Sequence, residues 1–127
     1  MTKKQYQPAV AALHDAHSIC IVTHLRPDAD AIGSAAALLL ALRQRGKDVC
    51  AVVGQEREIS RNLYTIPAAD DVTTSRELPE GYDLYVTVDC GSLDRTGFFA
   101  DRIDQLAKQG RVLCIDHHSS NPGFGAI

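Results

Sequence analysis

The sequence predicts an α/β fold in which an open, mostly parallel sheet is flanked by helices. Apolar runs rich in β-branched residues alternate along the chain with segments rich in helix-forming residues. The length of 127 residues, with 45% hydrophobic and 23% charged residues, is typical of one globular domain. Three of the apolar runs end in acidic or imidazole side chains, and open parallel sheets bind ligands beyond the carboxyl ends of their strands.

Residues 7–16 are predicted to form a short amphipathic helix that covers the sheet. Pro8 suits the first turn of a helix, where the N–H that proline lacks needs no partner. Tyr6, Val10 and Leu13 recur at helical spacing and form the apolar face of this predicted helix.

A buried strand is predicted at Ser18–Thr23, and a second at Asp48–Val53, because both runs are apolar and rich in β-branched residues. Between them, residues 31–45 are strong helix formers, and Gly46 is a suitable helix stop. This helix is apolar on nearly every side, so we expect it to lie flat on the sheet. Gly33 and the alanines would allow its first turns to approach the sheet closely.

The second half of the chain continues the alternation of elements. The further predicted elements are a helical turn within residues 58–64, a short strand at Val72–Thr74, a strand over residues 83–89, a helix with Phe99, Ile103 and Leu106 on one face that stops at Gly110, and a strand over residues 111–116. Parallel strands joined by right-handed crossovers account for this order.

Composition excludes several classes of function. The formal net charge of −3 argues against a partner such as long duplex nucleic acid, which needs a surplus of basic residues on one face. No apolar run reaches the length of a membrane span, and the N-terminal residues lack the apolar core of a secretion signal. We therefore expect a cytoplasmic protein that does not interact with membranes.

The four cysteines are predicted to be small buried hydrophobes in a reducing compartment. Cys20, Cys50, Cys90 and Cys114 lie far apart in the sequence and include no Cys-x-x-Cys pair. This spacing favours neither a zinc site nor a disulfide framework.

Potential metal ligands follow three of the predicted strands. Taken singly, each has an ordinary explanation, since an aspartate such as Asp28 or Asp30 can cap the helix that follows it. Taken together at one edge of the sheet, they indicate a metal site. The residues are His24, Asp28 and Asp30 after the first strand, Asp89 at the end of the fourth, and Asp116, His117 and His118 at the end of the fifth.

The ligand types narrow the choice of metal. Carboxylates and imidazoles without a thiolate suit Mn²⁺, Mg²⁺, Fe²⁺ or Co²⁺ better than a closed zinc site. With this many acids, the number of ligands fits the coordination of two ions better than that of one. Two ions that share a bridging carboxylate lower the pKa of a bound water and hold a phosphate ester for in-line attack, so the cluster predicts phosphoester hydrolysis.

The ordered motifs resemble those of the DHH phosphoesterase family, most closely its bacterial nano-RNase and pAp-phosphatase branch. The resemblance runs from about residue 19 to the end of the chain, and Ala29 departs from the glycine that many members have there. The motifs are His24-x-x-Pro27-Asp28-x-Asp30-Ala31-x-Gly33-Ser34, then Val88-Asp89 with Asp94-Arg95-x-Gly97, then Asp116-His117-His118. The resemblance implies a Rossmann-like domain that hydrolyses short oligonucleotides, dinucleotides or pAp-like nucleotides.

The resemblance also implies a set of metal ligands. His24 and Asp28 would bind a first Mn²⁺, Asp30 and His117 would bind a second, and Asp89 would bridge the two ions. Mg²⁺ or Co²⁺ are alternative metals.

Three further residues receive roles from the same resemblance. His118 would contact the substrate phosphate or assist the leaving group, and Asp116 would orient the histidines. Arg95 is a weaker candidate for phosphate contact, because a surface ion pair with Asp94 or Asp101 explains it as well.

Family members continue to a fourth motif, whose aspartate completes the second metal site, and to a smaller domain that holds the base and sugar of the substrate. No acid follows Asp116 in this chain. We therefore expect residues 1–127 to be the N-terminal portion of such a catalytic domain. The alternatives are a non-catalytic half-site that binds a metal or nucleotide, and an enzyme like the family II inorganic pyrophosphatases.

Overall fold

The computed structural model describes residues 3–118, 121–125 and 127. The helices are α1 (Lys3–Asp15), α2 (Ala29–Gln44) and α3 (Ala100–Lys108). The strands are β1 (Ser18–Thr23), β2 (Asp48–Val53), β3 (Val72–Thr74), β4 (Leu84–Val88) and β5 (Val112–Ile115). Short 3₁₀ segments lie at Arg61–Thr65, Ala69–Asp71 and Leu93–Phe99. The predicted α/β class is confirmed.

The five strands form one parallel sheet in the order β3-β2-β1-β4-β5. β1 lies at the centre, where Ile19 is in register with Val49 of β2 and with Leu84 of β4. The chain winds in one direction from β1 to β3 and in the other from β4 to β5. The carboxyl ends of β1 and β4 are therefore the point where the strand order reverses, which is where open α/β sheets form their ligand crevice.

The side chains of β1 divide the core into two layers. Ile19 and Ile21 face a cluster that includes Leu39 of α2 and partly buried residues of α1. Cys20 and Val22 face the opposite cluster, which includes Ile103 of α3. Both faces of the central strand are thus covered, which explains why its sequence is an unbroken apolar run rather than an alternating one.

The first helix covers the sheet as expected but presents a different face. It begins at Lys3, so Pro8 lies within the helix and not in its first turn. Tyr6 and Val10 are 52% and 61% exposed. The face that packs on the core consists of Ala9, Ala12 and Leu13. The predicted apolar face was therefore right at Leu13 and wrong at Tyr6 and Val10, because two alanines pack beside Leu13 in their place.

The helix after β1 begins two residues earlier than predicted. It lies on the sheet, with Ala31, Ile32 and Ala35 among its buried residues. A Cβ added at Gly33 would meet no atom within 4 Å. The expectation that Gly33 permits close approach to the sheet was wrong, because this position points away from the strands.

Two glycines hold the connection after β4 against the end of β2. Gly97 has φ +65° and ψ −125°, a conformation that is essentially restricted to glycine. A Cβ at Gly97 would collide with the carbonyl oxygen of Gly54 and with the side chain of Leu25. The Phe98 N–H donates to the Gly54 carbonyl at 3.0 Å. The segment Leu93–Phe99, which was not predicted, is therefore positioned by this close backbone contact.

The cysteines are all free thiols. Cys20 and Cys90 are buried as expected, whereas Cys50 and Cys114 are only partly buried. In the described part of the chain, no helix is long and apolar enough to span a bilayer.

Replacing Gly97 with alanine should lower the free energy of unfolding by about 2 to 4 kcal/mol, through backbone strain and the steric clash with Gly54. The matched control is Gly33→Ala, which enters open space in a helix and should raise stability by up to about 1 kcal/mol. Urea denaturation of both variants measures the difference. Equal stability of the two variants would contradict the proposed role of the Gly54–Gly97 contact.

Candidate metal centre

The loops that follow β1, β4 and β5 enclose an open cleft of about 640 Å³ at the carboxyl edge of the sheet. Thr23 joins β1 to β4 just below the cleft, since its hydroxyl donates to the Val88 carbonyl at 2.8 Å. The cleft is lined by His24, Asp28, Asp30, Asp89, Gly91, Ser92, Arg95, His117 and His118. It therefore contains every residue for which the sequence predicts a metal, catalytic or phosphate role, except Asp116.

Asp89 lies at the centre of the cluster. Its side chain is only 5% exposed, and its backbone has φ +52°, which aspartate tolerates better than most residues. The Asp89 N–H donates to the Ile115 carbonyl at 3.0 Å, which anchors the residue to β5. Oδ1 lies 2.8 Å from His117 Nε2, and Oδ2 lies 3.6 Å from His24 Nε2. Each oxygen of this carboxylate thus faces a different imidazole.

His24 presents Nε2 to the carboxylates. Its Nδ1 lies 2.7 Å from the Leu25 carbonyl oxygen and 3.2 Å from Arg95 Nη2. A carbonyl can only accept and a guanidinium can only donate, so Nδ1 cannot bond to both groups. The shorter contact assigns the proton to Nδ1, and the lone pair then lies on Nε2, where a metal ligand needs it.

Asp28 has two roles that its position combines. It is the N-cap of α2, and its Oδ1 accepts from the Ala31 N–H at 2.9 Å. This hydrogen bond is the main cause that lowers the pKa of the Asp28 carboxyl below its ordinary value, and the nearby His24 adds to the effect. The same Oδ1 lies 3.7 Å from His24 Nε2. The capping carboxylate is therefore ionised and faces the cleft.

His117 connects the loop after β5 to the other two loops. Its Nε2 is 2.8 Å from Asp89 Oδ1 and 3.3 Å from Asp30 Oδ2. The hydrogen bond with Asp89 is the largest cause that raises the pKa of His117 above its ordinary value. In the absence of a metal, a proton on His117 thus links the two carboxylates.

Asp116 lies behind the histidines, with its side chain only 3% exposed. Burial raises its pKa, but hydrogen bonds from Asn121, His118 and the backbone outweigh burial, so the pKa of Asp116 is lowered. Oδ1 bonds to His118 Nδ1, and Oδ2 accepts from Asn121 Nδ2 at 2.8 Å. The His118 ring stacks on His117 with a centroid distance of 4.5 Å. Asp116 therefore holds His118 with its Nε2 directed away from the carboxylate.

Arg95 lines the cleft beside His24. Its backbone carbonyl accepts from the Leu25 N–H at 2.8 Å, which joins the loops after β1 and β4. Within the residues that the structure describes, Arg95 forms no ion pair with Asp94 or Asp101. Asp94 instead accepts a hydrogen bond from Ser92. The guanidinium is thus positioned at the cleft and not at a surface ion pair.

The arrangement fits divalent metal ions. Among the described residues, the donor atoms form two groups that share Asp89: one with His24 and Asp28, the other with Asp116, His117 and His118. Asp30 lies outside both groups, and it contacts the cluster through His117. In an octahedral site with bonds of about 2.1 Å, adjacent ligands lie about 3 Å apart and opposite ligands about 4.2 Å apart. The distances of 3.6 and 3.7 Å from His24 Nε2 to Asp89 and Asp28 lie within this range. They are also too long for hydrogen bonds.

Sequence reasoning missed Asn121 as a supporting residue. Its amide donates to Asp116 and, at 3.2 Å, to the Cys90 carbonyl, so it joins the loops after β4 and β5. The sequence signal was weak, since Asn121-Pro122-Gly123 reads first as a turn. Gly91 and Ser92, which also line the cleft, carried no signal of their own.

Known proteins and a family model resemble this chain in sequence and in fold. Residues 18–126 match the family model described as DHH family, N-terminal domain. The chain is 35% identical over 110 residues to the bifunctional oligoribonuclease and PAP phosphatase NrnA of Thermus thermophilus, a match that covers 86% of this chain and 30% of that protein. An exopolyphosphatase-related protein of Bacteroides fragilis is 26% identical in sequence, with a TM-score of 0.80 over 100% of this chain and 39% of that one. The chain thus spans 30% to 39% of the length of these relatives.

Two substitutions at Asp28 should separate its capping role from metal binding. Asp28→Ala should lower the free energy of unfolding of the metal-free protein by about 1 kcal/mol, because the N-cap is lost. Asp28→Asn should stay within roughly 0.5 kcal/mol of the original protein, because asparagine caps equally well. Both variants should bind Mn²⁺ more weakly in calorimetric titrations. Equal destabilisation by the two variants would show that the charge, and not the cap, stabilises the helix.

The pKa of His117 should depend on Asp89 and on metal. Because its folded pKa is raised, the His117–Asp89 interaction stabilises the protein fully below pH of about 6.5 and is lost as the pH rises through the raised value. Metal requires the neutral imidazole, so affinity should increase over the same rise in pH. NMR titration of His117 in metal-free protein and in Asp89→Asn measures the shift. An unchanged titration in Asp89→Asn would contradict this assignment.

Proposed function

The chain belongs to the DHH family, and on that premise we propose that it carries the metal site of a phosphoesterase acting on short oligonucleotides, dinucleotides or pAp-like nucleotides. One observation supports the proposal most strongly. The buried carboxylate of Asp89 is shared by two groups of potential ligands, and each of its oxygens faces an imidazole from a different loop. A carboxylate in this position suits a bridge between two ions.

The proposed cofactor is Mn²⁺, with Mg²⁺ or Co²⁺ as alternatives. His24 and Asp28 would hold one ion, Asp30 and His117 the other, and Asp89 both. When bound, the ions would supply an activated water and charge stabilisation at the phosphate. A surplus of oxygen ligands and the lack of a thiolate in the cluster support a hard or borderline ion over a closed zinc site.

The remaining side chains of the cleft would position the substrate. Asp116 fixes His118, whose Nε2 is left to contact a phosphate oxygen or to donate a proton to the leaving group. Arg95 supplies a guanidinium that has no acidic partner among the described residues, which suits a phosphate. The first turn of α2 carries Asp28 and Asp30 at the cleft, so the positive end of the helix dipole adds to the attraction for an anion.

The choice of substrate rests on the relatives. The Thermus thermophilus protein is named as an oligoribonuclease and PAP phosphatase, which supports nucleotide substrates for this chain. The Bacteroides fragilis structure is of an exopolyphosphatase-related protein at lower identity. Inorganic pyrophosphate therefore belongs in the substrate panel. That a further acid and a second domain complete the site stays a prediction, as does a cytoplasmic location.

Asp89→Asn should lower kcat/KM for the dinucleotide pApA with Mn²⁺ by more than about a hundredfold. Loss of a group that only hydrogen-bonds to a metal ligand typically lowers activity by about 10 to 100-fold, and loss of a bridging ligand should lower it further. Asparagine keeps the size of the side chain and tolerates the positive φ. Release of mononucleotide, followed by chromatography, measures the reaction.

The matched control is Asp101→Asn, an exposed acid in the first turn of α3 that should leave turnover unchanged. The assay should use the protein encoded by the full open reading frame, and the 127-residue chain in parallel. Turnover of pyrophosphate but not pApA would favour the pyrophosphatase-like alternative. Metal binding without turnover by either protein would favour the non-catalytic half-site.

A further inference from the structure

A second depression, of about 410 Å³, adjoins the metal cleft at the carboxyl ends of β1 and β2. We call it the Arg–Phe groove. Its main lining residues are Leu25, Arg26, Gly54, Arg57, Gly97 and Phe98. None of them belongs to the two groups of potential metal ligands.

The groove and the cleft share two loops, those after β1 and β4. In the loop after β1, Arg26 lines the groove and Asp28 lines the cleft. In the loop after β4, Arg95 lines the cleft and Gly97 lines the groove. Two residues span at most about 7 Å of chain, so a ligand at the metal cluster that extends by one unit along these loops reaches the groove.

Gln55 fixes the two arginines of the groove relative to each other. Its Oε1 accepts from the Arg26 N–H at 2.7 Å, and its Nε2 donates to the Arg57 carbonyl at 2.6 Å. Arg26 is held with φ +49°, an uncommon value for a residue with a side chain. One side-chain amide therefore joins the loops after β1 and β2 and holds the backbones of both arginines at one rim.

The groove is lined by two arginines and one glutamate. Within the described residues, neither Arg26 nor Arg57 forms an ion pair, whereas Arg43, Arg76 and Arg102 each pair with an acid. The acid that lines the groove is Glu56, and it pairs with Arg76. Two exposed guanidiniums without acidic partners suit an anion with oxygen acceptors, such as a phosphodiester.

Phe98 adds an aromatic surface beside these charges. It is 53% exposed, although its backbone N–H is fixed by the Gly54 carbonyl at 3.0 Å. The Arg76 guanidinium lies 5.5 Å from the ring centroid and covers part of the ring, while the rest stays open. Exposed aromatic rings next to unpaired basic residues are the usual elements of single-strand nucleic acid binding.

We propose that the Arg–Phe groove binds the nucleotide adjacent to the one at the metal cluster in a short single-stranded oligonucleotide. Arg26 and Arg57 contact its phosphate, and Phe98 stacks on its base. The inference rests on the proposed phosphoesterase function and adds to it a preference for substrates that extend beyond the hydrolysed linkage.

The test compares two phosphodiesters in the protein encoded by the full open reading frame, with Mn²⁺. One is a trinucleotide RNA, and the other is bis-p-nitrophenyl phosphate, which lacks a neighbouring nucleotide. Phe98→Ala and Arg57→Ala should each lower the ratio of kcat/KM for the trinucleotide to that for the small diester by roughly tenfold, the scale of one lost base-stacking contact. Binding of a labelled trinucleotide, followed by fluorescence anisotropy, should weaken to a similar extent.

The matched controls are Tyr64→Ala, an exposed aromatic outside the groove, and Arg45→Ala at the far end of α2, which should leave the ratio unchanged. An unchanged ratio and unchanged trinucleotide binding in Phe98→Ala and Arg57→Ala would overturn the groove. The proposal would also be contradicted if these variants changed the oligomeric state or the melting temperature but not the kcat/KM ratio. That result would indicate that another protein surface covers the groove. If the unmodified protein hydrolyses neither diester, the proposed function fails. Weaker trinucleotide binding in the two groove variants alone would then still support the groove.

Discussion

The burial of one carboxylate is the constraint on which the site depends. Asp89 is almost completely buried at the point where the strand order reverses, and a buried charge is costly unless other charges or hydrogen bonds compensate for it. Its neighbours in the cleft include the carboxylates of Asp28 and Asp30, which repel it. The Ala31 N–H offsets part of this surplus at Asp28, and protons on the imidazoles, the guanidinium of Arg95 or bound cations can balance the rest. The protein thus concentrates negative charge in a cleft whose donor atoms suit divalent ions.

The topology explains why this charge can be concentrated without loss of the fold. Asp28 and Asp89 follow β1 and β4, whose apolar residues are buried on both faces, so stability comes from the sheet and the chemistry lies at its edge. Cross-links between loops then fix the edge. The Leu25 N–H bonds to Arg95, and Asn121 bonds to Asp116 and to Cys90. Three separate strand ends therefore act as one rigid rim.

Local pattern was enough to predict the strands and the side chains that meet in the cleft, but not the contacts between distant segments. Ser18–Thr23 and Asp48–Val53 have the predicted bounds, because an apolar run between polar ends is a local sequence signal of a buried strand. The segment Leu93–Phe99 has no such local signal, since its conformation depends on the contact of Gly97 with Gly54, more than forty positions earlier. The prediction of the inward face of α1 was partly wrong for the same reason. Alanines pack there because of what lies opposite them, and periodicity alone favoured the larger residues.

The contact between Gly54 and Gly97 links the cleft to the groove. The segment that it positions carries Arg95 on the side of the metal cluster and Phe98 on the side of the groove. A displacement of this segment would move both side chains together, because they are only three residues apart and share one backbone anchor. The proposed phosphate contact at the cluster and the proposed base contact beside it therefore depend on the same backbone segment. Substitutions that leave the backbone of this segment in place are the ones that can separate the two functions.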